Sequence, residues 1–273
     1  MDNTKASATV DQQVPRDELP FVAPSRQLST FAAVDWMRAG WQDFKSTPGN
    51  SLIYGGALVV ASYILTIASW HLGGAVLLLS LLSGLVFIAP VLALGLYSVS
   101  CQIGEGQKPR LAYCLREGRR HLGNELIFSL VLLIIFLLWV RAGSAIHIFF
   151  PMESDTTLSD FVVFYGVGSA VGAVFASLVF CASAFSLPMM MDRDADAITA
   201  VLTSVNAVRT NLVPMLVWAL IICASIALSF LTAYLLMAVL MPVLGYATWH
   251  GYKQTIDASM WPETSKLSDR NPD

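Results

Sequence analysis

The sequence predicts an all-α polytopic membrane protein, a bundle of six transmembrane helices with amphipathic helices on its cytoplasmic side. Three observations carry that prediction. Of the 273 residues, 56% are hydrophobic and 13% charged, where a soluble domain holds about 45–50% apolar and about 25% charged residues. The apolar residues gather into runs long enough for a bilayer core about 30 Å thick, which takes about 20 helical residues to cross. Lys and Arg fall almost wholly on one side of those runs, the signature of the cytoplasmic face. The composition excludes a soluble enzyme, which needs far more polar surface to stay in water. The formal net charge of −3 argues against a nucleic-acid binder, which needs a basic excess to neutralise phosphates.

Residues 1–28 read as a disordered cytoplasmic tail, with Asp2, Asp11, Asp17 and Glu18 and without the apolar core of a secretory signal. Ser29 or Thr30 can cap a first surface helix, in which Phe31, Val34, Met37, Trp41 and Phe44 recur every three or four residues until Pro48-Gly49 breaks it. Such a Trp-bearing helix ahead of a span should lie in the membrane interface. Within the membrane domain, residues 29–252, spans are expected at 51–69, 74–100, 125–145, 161–190, 212–229 and 231–250. The link Trp70-His71-Leu72-Gly73 is so short that the first two must form an antiparallel hairpin. Leu212 to His250 is apolar for about twice the length of one span, so it should hold two helices, with the turn near Ser225 to Thr232.

Two further surface helices are expected. After the second span, Leu111, Leu115, Gly118 and Leu122 take one side and Arg110, Arg116, Arg119 and Arg120 the other, which suits a positive-inside anchor or an anionic-lipid site. After the fourth, Asp194 or Asp196 caps a helix with an apolar stripe of Ile198, Val201, Leu202, Val205 and Val208. Residues 253–273 form a second cytoplasmic tail. With the N-terminus inside, fifteen of the 16 basic residues are cytoplasmic and only Arg141 lies outside. Trp70 and Trp139 mark outer ends of spans, and Trp36, Trp41 and Trp249 inner ends. The recurrence of span, surface helix and span suggests a parallel repeat, with Leu85-Val86-Phe87 answering Leu178-Val179-Phe180.

Chemistry at depth normally needs ionisable side chains, and the expected span interiors hold no Asp, Glu, Lys or Arg. His71, His147 and His250 fall at or near interfaces, where haem or metal ligation competes with simple solvation. Pro188-Met189-Met190-Met191 invites copper, but a contiguous Met run distributes thioethers around a helix and suits flexible packing beside a break at Pro188. Asp192-Arg193-Asp194-Ala195-Asp196 resembles the opening of a calcium loop, yet Ala197 and Thr203 stand where Gly and Glu are required. Cys101, Cys114, Cys181 and Cys223 form no CxxC pair and read as reduced. Gly168, Gly172 and Ala176 make a small-residue stripe for helix packing, within the bundle or in a homodimer, and Pro90 and Pro242 should kink their spans. No catalytic, cofactor-binding or metal-ligating residue is assigned. The candidate lipid-contacting residues are Trp36, Trp41, Arg110, Arg116, Arg119 and Arg120.

Five strings, Trp36-Met37-Arg38-Ala39-Gly40-Trp41, Ser51-Leu52-Ile53-Tyr54-Gly55, Phe185-Ser186-Leu187-Pro188-Met189, Asp196-Ala197-Ile198-Thr199-Ala200 with Thr203-Ser204, and Leu244-Gly245-Tyr246-Ala247-Thr248-Trp249-His250, carry a family likeness. The chain resembles a family of predicted bacterial integral membrane proteins, domain of unknown function 2189 (DUF2189), from about Pro24 to Tyr252; the family pattern has His where this chain has Tyr246. The resemblance implies a multi-pass protein of the bacterial cytoplasmic membrane and brings no activity with it. The function expected is non-enzymatic: binding, organising or assembling membrane components, with lipids and a homo-oligomer or other membrane proteins as partners and no cofactor. The alternative is a transporter or channel for a small neutral or amphipathic solute, and a haem- or metal-binding protein comes third.

Overall fold

The computed structural model describes residues 19–72, 93–110, 122–149 and 158–264. Among them every regular element is a helix, joined only by isolated β-bridges at Ser25 with Ile256 and Arg193 with Glu263. The helices are α1 (Ala32–Ser46), α2 (Pro48–Leu72), α3 (residues 93–104), α4 (Leu122–Phe149), α5 (Leu158–Ser183), α6 (Ser186–Asp192), α7 (Ala197–Thr210), α8 (Leu212–Leu231) and α9 (Met237–Thr255). Four stretches among the described residues are long and apolar enough to cross a membrane: Pro48–Ala68, Gly123–Ile146, Leu158–Asp192 and Leu212–Leu231. They correspond to the expected first, third, fourth and fifth spans. Most of the expected second span, with Pro90 and Leu85-Val86-Phe87, lies outside the described residues, and its end is helical in α3.

Span boundaries follow local chemistry. Pro48 starts α2, a position where a missing N–H costs nothing because the first turn has no intrahelical acceptor for it. The break after α5 falls at Ala184-Phe185 rather than at Pro188, which sits in the first turn of α6. There Ser204 Oγ accepts the Phe185 N–H at 3.1 Å, replacing the helical bond that the bend removes. The turn after α8 begins only at the end of the expected range, Ser225 to Thr232. Ser225 and Ser229 donate to the carbonyls of Ile221 and Ser225, both at 2.8 Å, and so stay within the helix. The chain reverses instead at Thr232–Leu236, where Ala233 and Tyr234 take positive φ of 48° and 67° and Thr232 Oγ1 accepts the Leu236 N–H. Tyr63 of α2 holds this turn by donating to the Ala233 carbonyl at 2.6 Å.

At one end of the spans α1, α6, α7 and the last turns of α9 pack into a cap. An N-terminal strap (residues 19–30) and the segment after α9 cover it. α9 is its axis and lies along both α1 and α2. The expected lipid-facing stripe of α1 is displaced: the helix buries Ala33, Trp36, Gly40 and Phe44 inward, while Phe31 and Trp41 are exposed. Gly40 sets that choice, because a Cβ there would stand 2.5 Å from the Val243 carbonyl oxygen, so only a bare backbone lets α1 reach α9. α7 divides its faces in the same way. Ala197, Ala200, Thr203, Ser204 and Ala207 turn inward, whereas Ile198 and Leu202 of the expected apolar stripe are exposed.

Candidate functional site

The densest polar chemistry in the described residues gathers around the last turns of α9, where successive side chains each reach a different element. Tyr246 and Ser51 share a hydrogen bond of 2.8 Å, joining α9 to α2. One turn on, His250 Nε2 lies 2.8 Å from Asp43 Oδ2 of α1, and the same oxygen accepts Ser100 Oγ of α3 at 2.5 Å. Since the carboxylate accepts, Nε2 carries the proton, and its 3.5 Å separation from Ser100 Oγ is not a base poised on a hydroxyl. The order is serine and histidine both on aspartate, which makes a three-helix junction. A nucleophile, base and acid in series would need the serine on the histidine.

A second buried carboxylate, Asp192 at the end of α6, is 5% exposed. It accepts Tyr252 OH at 2.8 Å, Lys253 Nζ at 3.2 Å and Arg193 Nε at 3.1 Å. Burial pushes the Tyr252 phenol well above its ordinary range and the Asp192 charge pushes it further, so the phenol stays protonated and donates. Arg193 extends the junction to the segment after α9, donating to the Trp261 carbonyl at 3.0 Å and pairing with Glu263 at 3.3 Å. Lys253 lies over the rings of Trp249 and Tyr252. Gln254 accepts from Trp36 Nε1, and the Thr255 carbonyl accepts the Arg26 N–H of the strap at 2.8 Å. Thus α9 binds α1, α2, α3, α6 and both flanking segments.

The residues singled out from sequence separate into distinct fates. Trp36 is 2% exposed and packs edge-on against Phe185 and Trp218, so it belongs to the protein interior and not to a lipid interface. Trp41 is 45% exposed and stacks on Phe44. Arg110 is exposed, with its N–H bonded to Gln102, while Arg116, Arg119 and Arg120 lie outside the described residues. On α5, Gly168 has open space where a Cβ would be, Gly172 meets only Trp139 Nε1 at 3.9 Å, and Ala176 is exposed. Met189, Met190 and Met191 are all buried in the cap. The run from Asp192 to Asp196 divides its work: Asp192 serves the junction, and Asp196 caps α7 by accepting the Thr199 N–H at 2.9 Å. Burial raises the Asp196 carboxyl, but hydrogen bonds from the Thr199 N–H and hydroxyl and from the Ile198 N–H outweigh it and hold it below its ordinary range. Cys101, Cys181 and Cys223 are free thiols. His71 is exposed, and the side chain of His147 lies outside the described residues. No group of three metal-ligating side chains occurs among the described residues.

Sequence reasoning missed Asp43, Ser100 and Tyr252, and treated His250 as an isolated interfacial imidazole. A signal for Asp43 was available: it lies three residues after Gly40 on the same helical face, so reading Gly40 as a close contact would have turned Asp43 inward with it.

Several helices long and apolar enough to cross a membrane, with the buried carboxylates Asp43 and Asp192 gathered in a cap at one end, define an integral membrane protein of several spans. Residues 76–192 match a family model described as a predicted integral membrane protein, DUF2189. The match holds Ser100 and Asp192, while their partners on α1 and α9 flank it. No curated protein and no solved structure matches the chain.

Proposed function

We propose that the protein is a non-enzymatic component of the bacterial cytoplasmic membrane that binds and organises lipids or other membrane proteins. One observation carries this reading. The most apolar windows of the four candidate spans bury only 22%, 11%, 28% and 28% of their residues inside the chain, which leaves most of each helix to be covered from outside. The buried carboxylates of the cap, by contrast, are engaged, Asp43 with His250 and Asp192 with Arg193 and Lys253, and hold helices together, a structural use of charge rather than a reactive one. We further propose six spans with both termini cytoplasmic, the second being residues 74–100 and the sixth 231–250. The strap and the segment after α9 are joined by backbone bonds, Arg26 N–H to Thr255 and Asp257 N–H to Pro24, so they share one side of the membrane, which requires an even number of crossings. Fifteen of 16 basic residues on that side favour the cytoplasmic assignment.

Gentle detergent extraction followed by native mass analysis tests the reading. Retained lipid, a second copy or a heterologous membrane protein is the expected result. A lone monomer that carries nothing, under conditions that preserve the thermal transition of the cap, overturns it.

A further inference from the structure

The cap contains a repeated unit that composition does not reveal. α1 enters α2 through the single residue Thr47, and α7 enters α8 through the single residue Asn211. The two links have nearly the same backbone, φ −136° and ψ 55° at Thr47 and φ −125° and ψ 46° at Asn211. Each link N–H bonds back to the carbonyls three and four residues earlier: Thr47 to Phe44 and Asp43, Asn211 to Val208 and Ala207. Each link carbonyl then accepts from the first turn of the following helix, at Ser51 and Met215. With the links superposed, five of the six buried positions of α1, Ala33, Trp36, Gly40, Asp43 and Phe44, fall on buried Ala197, Ala200, Ser204, Ala207 and Val208 of α7; the sixth, Ala32, falls on exposed Asp196, and the wider buried face of α7 adds Thr199 and Thr203. The correspondence continues past the elbow, where exposed Leu52 falls on exposed Leu216 and buried Tyr54 on buried Trp218.

The outward faces match as well. Val34, Arg38, Trp41 and Lys45 occupy the register of Ile198, Leu202, Val205 and Arg209, a straight stripe at spacings of four, three and four residues. Both stripes end in a base two residues before the link, hence beside the point where the chain enters the hydrocarbon. Of the bases on α1, α7 and α9, Arg38 pairs with Asp35 and Lys253 with Asp192. Lys45 and Arg209 are exposed and have no carboxylate within ion-pair distance among the described residues.

We infer that Lys45 and Arg209 are paired headgroup sites, each holding the phosphate of an anionic phospholipid at the mouth of an elbow. This deepens the proposed binding of membrane lipid and rests on it. The occupant is a lipid because each base stands between exposed apolar side chains of its own helix, Trp41 on α1 and Ile198 and Leu202 on α7, and an exposed leucine of the next, so whatever it binds must also cover acyl-contacting surface. Its charge is negative because an unpaired base at headgroup depth gains about 1 kcal/mol from an anionic leaflet, equivalent to about fivefold in association.

Spin-labelled phosphatidylglycerol and phosphatidylcholine, each reconstituted with the full chain in phosphatidylcholine vesicles, test the assignment. The unaltered protein should prefer the anionic probe, with a preference that falls as salt is added. Lys45→Gln and Arg209→Gln should each reduce it by up to about fivefold, the double variant should lose both increments, and Lys45→Arg with Arg209→Lys should retain it. A preference that the double variant leaves undiminished overturns the inference, and so does one lost entirely through a single site. The total number of motionally restricted lipids should be the same in every variant; its collapse in the unaltered protein would instead count against lipid organisation as a whole.

Discussion

The junction of α9 with α1 and α2 and the pair α4–α5 are built from similar residues, yet they solve opposite problems. Around α9 the glycines are crossing points: a Cβ on Gly55 would stand 1.9 Å from the Ala238 carbonyl oxygen, and one on Gly40 would meet Val243. On α4 and α5, Gly143, Gly166 and Gly168 have nothing within 4 Å, and large apolar side chains, mainly leucine and isoleucine on α4 and valine on α5, are exposed on the outer faces. In the first region protein meets protein, so shape and hydrogen bonding decide stability. In the second the chain leaves its packing to be completed by whatever surrounds it. A small residue in a spanning helix therefore identifies a contact only when the other side of that contact is known.

The comparison breaks most severely at Asp192. Asp192→Ala removes the acceptor of buried Tyr252 and the countercharge of Arg193 and Lys253, and should cost about 3–5 kcal/mol, seen as a lower thermal midpoint of the purified protein in detergent. Next comes Gly55→Ala, which forces α2 away from α9; an overpacked crossing should cost about 1–3 kcal/mol in the same measurement. Asp196→Ala removes the α7 cap and should cost about 1 kcal/mol. Because the folded Asp196 carboxyl is depressed, its contribution is complete above its unfolded value and is lost as pH falls through the folded one. The protection of the Thr199 amide, taken relative to its intrinsic exchange rate at each pH, should accordingly fall as pH drops through the folded Asp196 value in the unaltered chain, and Asp196→Ala should lack that protection at every pH. Smallest is Gly168→Ala, expected within about 0.5 kcal/mol in the isolated chain. A larger loss in vesicles than in detergent would show that a partner closes on α5.

Hydropathy made the spans legible because lipid imposes one demand on every spanning helix, that its backbone bonds be satisfied internally while its surface stays apolar. The cap was less legible, since its helices choose their inward faces by fit. On α1 the large residues Phe31 and Trp41 suggested a buried or lipid-facing stripe, while the smaller Ala33 and Gly40 determine how α9 docks. On α7 the same competition exposed Ile198 and buried Thr203, whose hydroxyl accepts the Ala23 N–H of the strap. The Asp196 cap was readable because an N-cap is a local device, complete within four residues. Asp43 and His250 stand 207 positions apart, and no local pattern joins them.

That separation also orders events in time. Ser100 of α3 reaches Asp43 early, but the bonds from α9 come from a helix made after all four candidate spans, so α1 must wait on the order of tens of seconds of synthesis, at about 5–20 residues per second, before Gln254 reaches Trp36 and His250 reaches Asp43. A chain halted before α9 would leave Asp43 and Asp192 without the partners that α9 supplies and Gly40 without the backbone it packs against. Closure of the cap thus waits on α9, and a copy without α9 differs from a closed one at the same three places, Asp43, Asp192 and Gly40.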